Sequence, residues 1–152
     1  MLTTILAVGK LRPSYQEACE EYLARLRRFD EVAVHQVREA PASETPVVQR
    51  RTEGQRLLAR VPDRAVVVAL DREGTGWTSE ALAAALGRWR ENGRGVALII
   101  GGSTGLDDAV LARADHRWSL GPLTLPHQLA RVVVLEQWYR AGTIIRGEKY
   151  HK

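Results

Sequence analysis

Apolar residues follow two rhythms along this chain. Leu2 to Val8 is a run closed by Gly9, and Val66-Val67-Val68-Ala69-Leu70 and Val96-Ala97-Leu98-Ile99-Ile100 are short runs with no polar alternation. Such runs predict strands covered on both faces by helices. Glu31 to Arg38 is β-branched and partly alternating, with Val32 and Val34 on one face, and His116 to Leu120 reads as a brief further strand. Elsewhere the period is three to four. Tyr15, Ala18, Cys19, Tyr22, Leu26 and Phe29 form such a stripe, and Ser14-Tyr15-Gln16-Glu17 predicts a capping box that opens the helix. Thr45 and Pro46 predict an N-cap and a first-turn proline for a second helix reaching Val61. A third helix is predicted over Thr78 to Asn92, closed by Gly93, and a short fourth over Asp107 to Ala114. After the stiff segment Gly121-Pro122-Leu123-Thr124-Leu125-Pro126, a long last helix is expected from His127 to Thr143.

Strand, helix and strand in this order predict an α/β fold, a mostly parallel sheet flanked by helices with right-handed crossovers. With 152 residues and no internal repeat, linker or low-complexity tract, the expectation is one domain over 1–152. A hydrophobic share of 45% supports a core, and no apolar run approaches the length of a membrane span. The N-terminus has no basic segment ahead of a long apolar stretch, so a soluble, unprocessed protein is expected. The one cysteine, Cys19, sits on an apolar stripe, closes no disulfide within the chain and lacks the company of a zinc site. Inert packing in a reducing cytoplasm is the expectation, with no metal.

Charge changes the picture only through its placement. The net +4 is matched by the segment from Arg113 onward, where Arg113, Arg117, Arg131, Arg140, Arg146, Lys149 and Lys152 face only Asp115, Glu136 and Glu148. Two readings fit: an anionic partner such as a phosphate backbone, or a solvated helix face.

Ligands in open parallel sheets bind at the carboxyl ends of strands, which directs attention to Asp71–Trp77, Gly101–Gly105 and Gly121–Pro126. Glycines there bring the backbone close to a ligand. Gly101-Gly102-Ser103-Thr104-Gly105 is neither a phosphate-binding P-loop nor G-x-G-x-x-G. It does match G-x-S-x-G, and with a later aspartate and His116 or His127 it has the Ser, Asp, His order of a small α/β serine hydrolase using Ser103.

Leu70-Asp71, Gly101 to Gly105, Trp118-Ser119-Leu120, Leu123-Thr124-Leu125-Pro126-His127, Arg131, Glu136-Gln137-Trp138-Tyr139-Arg140-Ala141 and the closing Tyr150-His151-Lys152 carry a resemblance over the whole length. On these residues the chain closely resembles the RlmH (YbeA-like) family, ribosomal large-subunit RNA pseudouridine N3-methyltransferases of the SPOUT superfamily. The resemblance implies a trefoil knot in the C-terminal half, a homodimer, rRNA within the ribosome as partner, and S-adenosylmethionine held by the knotted loops. By position, Leu70, Gly101, Leu120, Gly121, Pro122, Leu123, Thr124 and Leu125 would bind the cofactor. Gly121-Pro122 departs from the serine- or alanine-containing versions of this loop.

An N3 imide proton leaves too slowly at neutral pH without help from a general base or anion-stabilising donors, an effect of roughly 10²- to 10⁴-fold. His127 and Glu136 are candidates. Nine residues apart on one helix, they fall on nearly opposite faces and are not expected to share a task within one subunit. Glu136 is expected to pair with Arg140 at i+4 and to shape the site. Tyr150 and His151 are expected to complete the partner subunit's site, and Arg131, Arg140, Lys149 and Lys152 to contact RNA. The dimer is also suggested by the last helix, whose Val132, Val133, Val134, Leu135, Trp138, Tyr139, Ile144 and Ile145 spread beyond one core stripe. A noncatalytic rRNA-binding protein that stacks bases on Tyr150 is the remaining alternative.

Overall fold

Each unalternating apolar run becomes a strand with a helix layer on either side. In the computed structural model, which describes residues 1–152, the strands are β1 (Leu2–Val8), β2 (Glu31–Val37), β3 (Val66–Gly76), β4 (Val96–Ile100) and β5 (His116–Ser119). They form one sheet in the order β2-β1-β4-β3-β5. All pairings are parallel; Ile5 lies beside Val34 and Leu98, and Val68 beside Leu98 and His116. The helices are α1 (Pro13–Leu26), α2 (Pro46–Leu58), α3 (Ser79–Glu91), α4 (Asp108–Arg113) and α5 (His127–Arg146).

Successive strand residues point to opposite faces, so two cores form. Ile5, Val66, Val68, Leu98 and Ile100 pack with Leu23 of α1, Leu86 of α3 and Trp138 of α5. Leu6, Val8, Val67 and Ile99 pack on the other face with Leu57 of α2 and Val110 of α4. The indole N–H of fully buried Trp138 donates to Thr3 Oγ1 at 3.2 Å, which pins α5 to the centre of the sheet without stranding a polar group.

Four sequence expectations are corrected. The capping box at Ser14 does not form: Pro13 occupies the first helical turn, Arg12 is the N-cap, and no side chain caps the helix. A proline fixed at helical φ starts the helix upstream of the serine. Phe29 lies beyond α1, 47% exposed, beneath the Arg146 guanidinium at 3.5 Å. Strand β3 does not stop at Leu70; its register with β5 is interrupted, and Leu70 and Thr75 both align with Trp118. Most of the expected Asp71–Trp77 loop is therefore strand. Helix α5 continues past Thr143 to Arg146 and stops at left-handed Gly147, whose N–H reaches Ile144 O.

Candidate functional site

The segments leaving β4 and β5, together with the break in β3, wall a cavity of about 630 Å³. Small-molecule sites run from roughly 300 to 1,000 Å³. Leu70, Asp71 and Arg72 form one wall, Ile100 to Leu106 a second, and Leu120, Gly121 and Leu123 to His127 a third. Seven of the eight residues expected at a cofactor site thus converge: Leu70, Gly101, Leu120, Gly121, Leu123, Thr124 and Leu125. Pro122 does not. It is exposed, follows Gly121, whose N–H donates to Ser119 Oγ at 3.2 Å, and lines a neighbouring hollow with Arg50 and Leu111.

The lining offers backbone as much as side chain. Gly102 and Gly105 pair in an antiparallel bridge, in which Gly105 N–H donates to Gly102 O at 3.1 Å, whereas the N–H groups of Ser103, Thr104, Leu123, Thr124 and Leu125 serve no backbone acceptor. Backbone donors left open beside apolar walls suit a ligand with a polar edge. Gly101 is required by close approach, since a Cβ there would stand 2.8 Å from both the carbonyl carbon and oxygen of Gly105. At the cavity wall, Leu123 is 76% exposed, an apolar side chain with no protein partner to cover it.

His127 opens α5 at the edge of this cavity. Of the four histidines, only His151 has hydrogen bonds at its ring, so the His127 imidazole is free to meet a ligand. Glu136 is not in the cavity. Its Oε1 accepts Arg140 Nε at 3.0 Å, Arg140 Nη2 at 2.6 Å and the Tyr150 hydroxyl at 3.0 Å, while Oε2 accepts Gln137 Nε2 at 2.7 Å. The expected pairing with Arg140 is present. With both oxygens occupied, this carboxylate serves to hold its neighbours in place.

The last residues fold back on the same cluster. Tyr150 lies 4.9 Å from the Tyr139 ring and 4.8 Å beneath the Arg140 guanidinium. Burial, and then the hydrogen bond to Glu136, push its phenol up to about 12. Arg140 is held charged chiefly by its hydrogen bond to Glu136. His151 reaches Arg140 Nη1 through Nδ1 at 3.1 Å and Glu80 Oε1 through Nε2 at 2.7 Å, and this contact lowers the Glu80 carboxyl below the usual range. The site residues therefore divide within one chain: His127 sits with the cavity, and Glu136, Arg140, Tyr150 and His151 stand together elsewhere along α5.

Arg131 is a further correction. At 2% exposure it cannot meet a phosphate; its Nη2 donates to Val8 O at 3.0 Å and Gly9 O at 3.1 Å, tying the end of β1 to α5. Its place on the inward face of the helix decides this, and burial lowers its basicity. Lys149 and Lys152 are exposed. Ser103 also lines the cavity but is hydrogen-bonded to no histidine, and Asp115 is engaged by Val67 N–H at 2.8 Å, so no hydrolase triad is assembled.

Sequence reasoning missed Glu80, which meets His151 across 71 positions, and Gln128, whose Oε1 accepts Arg12 N–H at 2.7 Å and joins the loop after β1 to the start of α5. Neither has a local signal. Both are surface polar residues until the fold brings a partner.

The chain belongs to the SPOUT methyltransferases: the family model described as "Predicted SPOUT methyltransferase" matches residues 1–151. Among its relatives, the ribosomal RNA large subunit methyltransferase H of Rubrobacter xylanophilus is 53% identical over 152 residues, covering 97% of this chain and 96% of its own length. The protein of the same name from Anaeromyxobacter sp. (strain Fw109-5) is 47% identical with full coverage of both chains. A probable methylase family protein from Haemophilus influenzae shares the fold at a TM-score of 0.60 and 13% identity, over 99% of this chain and 70% of its own.

Proposed function

We propose that this chain transfers a methyl group from S-adenosylmethionine to N3 of a pseudouridine in large-subunit (23S) rRNA, acting on the assembled ribosome in the cytoplasm as a homodimer. The observation that carries the reading is the cavity after β3, β4 and β5, walled by leucines and unengaged backbone donors in a chain of the methyltransferase family. That lining fits S-adenosylmethionine: an apolar slot for adenine, edges of peptide groups for its polar atoms, and a volume within the small-molecule range. The cofactor supplies an electrophilic methyl on a sulfonium, and the protein's part is to position and to move a proton. The trefoil threading implied by the family resemblance belongs with this reading, as does the choice of rRNA, supported by the names of relatives at 41–53% identity.

In this reading His127 would take the N3 proton on methylation, supported by an imidazole that borders the cavity with neither ring nitrogen hydrogen-bonded within the protein. Glu136 acts by fixing Tyr150 and Arg140. Tyr150 offers a face on which a lifted base can stack, a contact worth roughly 1 to 3 kcal/mol. Lys149 and Lys152, with Arg140 once a base displaces its partners, supply charge toward phosphate. A second copy is part of the reading, because Glu136 and Tyr150 lie too far along α5 from His127 to act on the same ring in one chain. Partly exposed Val132, Val133, Tyr139, Ile144 and Ile145 provide apolar surface for that copy.

Deleting Tyr150 to Lys152 tests the composite site. The expected result is unchanged cofactor affinity and dimer mass, with methylation of ribosomes abolished. Full-rate methylation by the truncated enzyme refutes the role of the tail.

A further inference from the structure

The structure assigns Glu53, a residue of α2, to a task at the cavity: we infer that it is a positioning residue that holds the Gly101–Gly105 turn from beneath in the shape that receives the cofactor. The inference rests on the cofactor reading above. Glu53 is 6% exposed, a rare state for a carboxyl side chain. Oε2 accepts the Ala40 N–H at 3.0 Å; Oε1 is buried with no partner.

That free oxygen points at the turn. A Cβ built on Gly102 would lie 3.4 Å from Glu53 Oε1 and 3.1 Å from Val8 Cγ1, so this glycine backbone rests directly on the carboxyl and the end of β1. Gly102 itself is paired with Gly105, and the N–H groups of Ser103 and Thr104 are the unengaged donors nearest in sequence to that contact. An orphaned acceptor beneath a turn with orphaned donors is completed by a small rotation of the peptide, and burial makes the unmade bond costly.

Neighbouring positions on α2 reinforce the contact. Arg50 Nη1 donates to Thr104 O at 3.4 Å, and Gly54 lets Asp107 approach so closely that a Cβ would stand 3.1 Å from the Asp107 Cβ. Residues 50, 53, 54 and 57 recur at the spacing of one helix face. Leu57 fills the core, and the other three meet the turn and the residues just after it. Glu53 is thus a polar member of a packing stripe, in a place where an aliphatic side chain would fill the space but leave the turn without an acceptor.

The test uses Glu53→Gln in the full-length protein, with Arg50→Ala as a second variant on a less buried residue. The introduced amide must give its oxygen to the Ala40 N–H, which turns an NH₂ donor toward the turn where an acceptor stood. Titration calorimetry with S-adenosylmethionine is expected to show affinity about tenfold weaker for Glu53→Gln and less weakened for Arg50→Ala. Turnover at saturating cofactor should be near wild type, so that KM for the cofactor rises while kcat holds. Amide exchange without cofactor should accelerate in residues 101–105 and not in β1 or α5. Unchanged affinity together with unchanged exchange in the turn overturns the inference, as does a loss of affinity that only follows a global loss of stability. If the wild-type protein does not bind S-adenosylmethionine, the cofactor reading fails, and exchange in the turn still decides whether Glu53 holds it.

Discussion

Arg131→Met separates a structural arginine from a nucleic-acid contact. The side chain is 2% exposed, and one nitrogen donates to both Val8 O and Gly9 O, the carbonyls at the end of the first strand. Methionine keeps much of the aliphatic volume and removes both hydrogen bonds. Each carbonyl left buried without a donor costs about 1 to 3 kcal/mol. The loss is offset in part, because the guanidinium is itself costly to bury and its Nε and Nη1 have no partners. A net destabilisation of about 2 kcal/mol is expected from these opposing terms, equivalent to roughly 4 to 8 °C in Tm for a domain of this size. Urea denaturation measures the first quantity and calorimetry the second. The discriminating assay is rRNA binding as a function of salt. An arginine on a phosphate contributes about one unit to the slope of log K against log salt, so Arg131→Met should leave the slope unchanged, whereas Lys152→Met should lower it by about one at no cost in stability. A variant with unchanged urea midpoint and a slope reduced by one would refute the buried role.

Three further outcomes are expected. Gly101→Ala forces a methyl group to 2.8 Å from the Gly105 carbonyl, so the turn must open; S-adenosylmethionine affinity should fall at least about tenfold with far-UV dichroism retained, and unchanged affinity would contradict the close approach. The Tyr150 phenol, raised to about 12, keeps its proton in the folded state, so its contribution to stability is present below the ordinary value of about 10 and is lost as pH rises through about 12. Phenolate absorbance should follow that order, and Glu136→Gln should move the titration back down; a wild-type Tyr150 that ionises with the exposed tyrosines counts against the contact. Cys19 is 2% exposed with its thiol pushed up by burial, so a thiol reagent should label it at the rate of unfolding, and rapid labelling of the native protein would be the contrary result.

Much of the architecture was legible because burial on both faces leaves a direct mark. Val66–Leu70 and Val96–Ile100 are apolar at every position, and both lie inside the parallel sheet between helix layers. The loops after the strands were legible for a related reason, since glycines follow β4 and β5 where the backbone comes close to the cavity. The break in β3 was not, because Asp71 to Thr75 are polar residues that read as loop, and only the ladder with Trp118 shows the strand resuming. Arg131 shows another limit. Composition counts it among the basic residues of the last quarter, but helix phase turns it inward onto Val8 and Gly9. Glu53 left no signal, because an acid in a polar helix looks solvated until the loop above it is in place.

In the proposed function, the long helix α5 is a spacer that fixes how the chemistry would be divided. At 1.5 Å per residue, the nine positions between His127 and Glu136 amount to about 13 Å along the axis, and the half-integral number of turns sets their side chains on opposite sides. Side-chain flexibility does not close that gap, because Glu136 is held by Arg140, Gln137 and Tyr150 at once. In the proposed reading, a substrate base resting at the cavity would meet His127 of one chain and be out of reach of that chain's Tyr150. The same separation that disables a single-chain site suits a pair of chains related by a two-fold axis, since such an axis presents the middle and end of one α5 to the start of the other. Under the proposed dimer, cofactor affinity would belong to each chain and methyl transfer to the pair, and the two properties would respond independently to changes at the two ends of the helix.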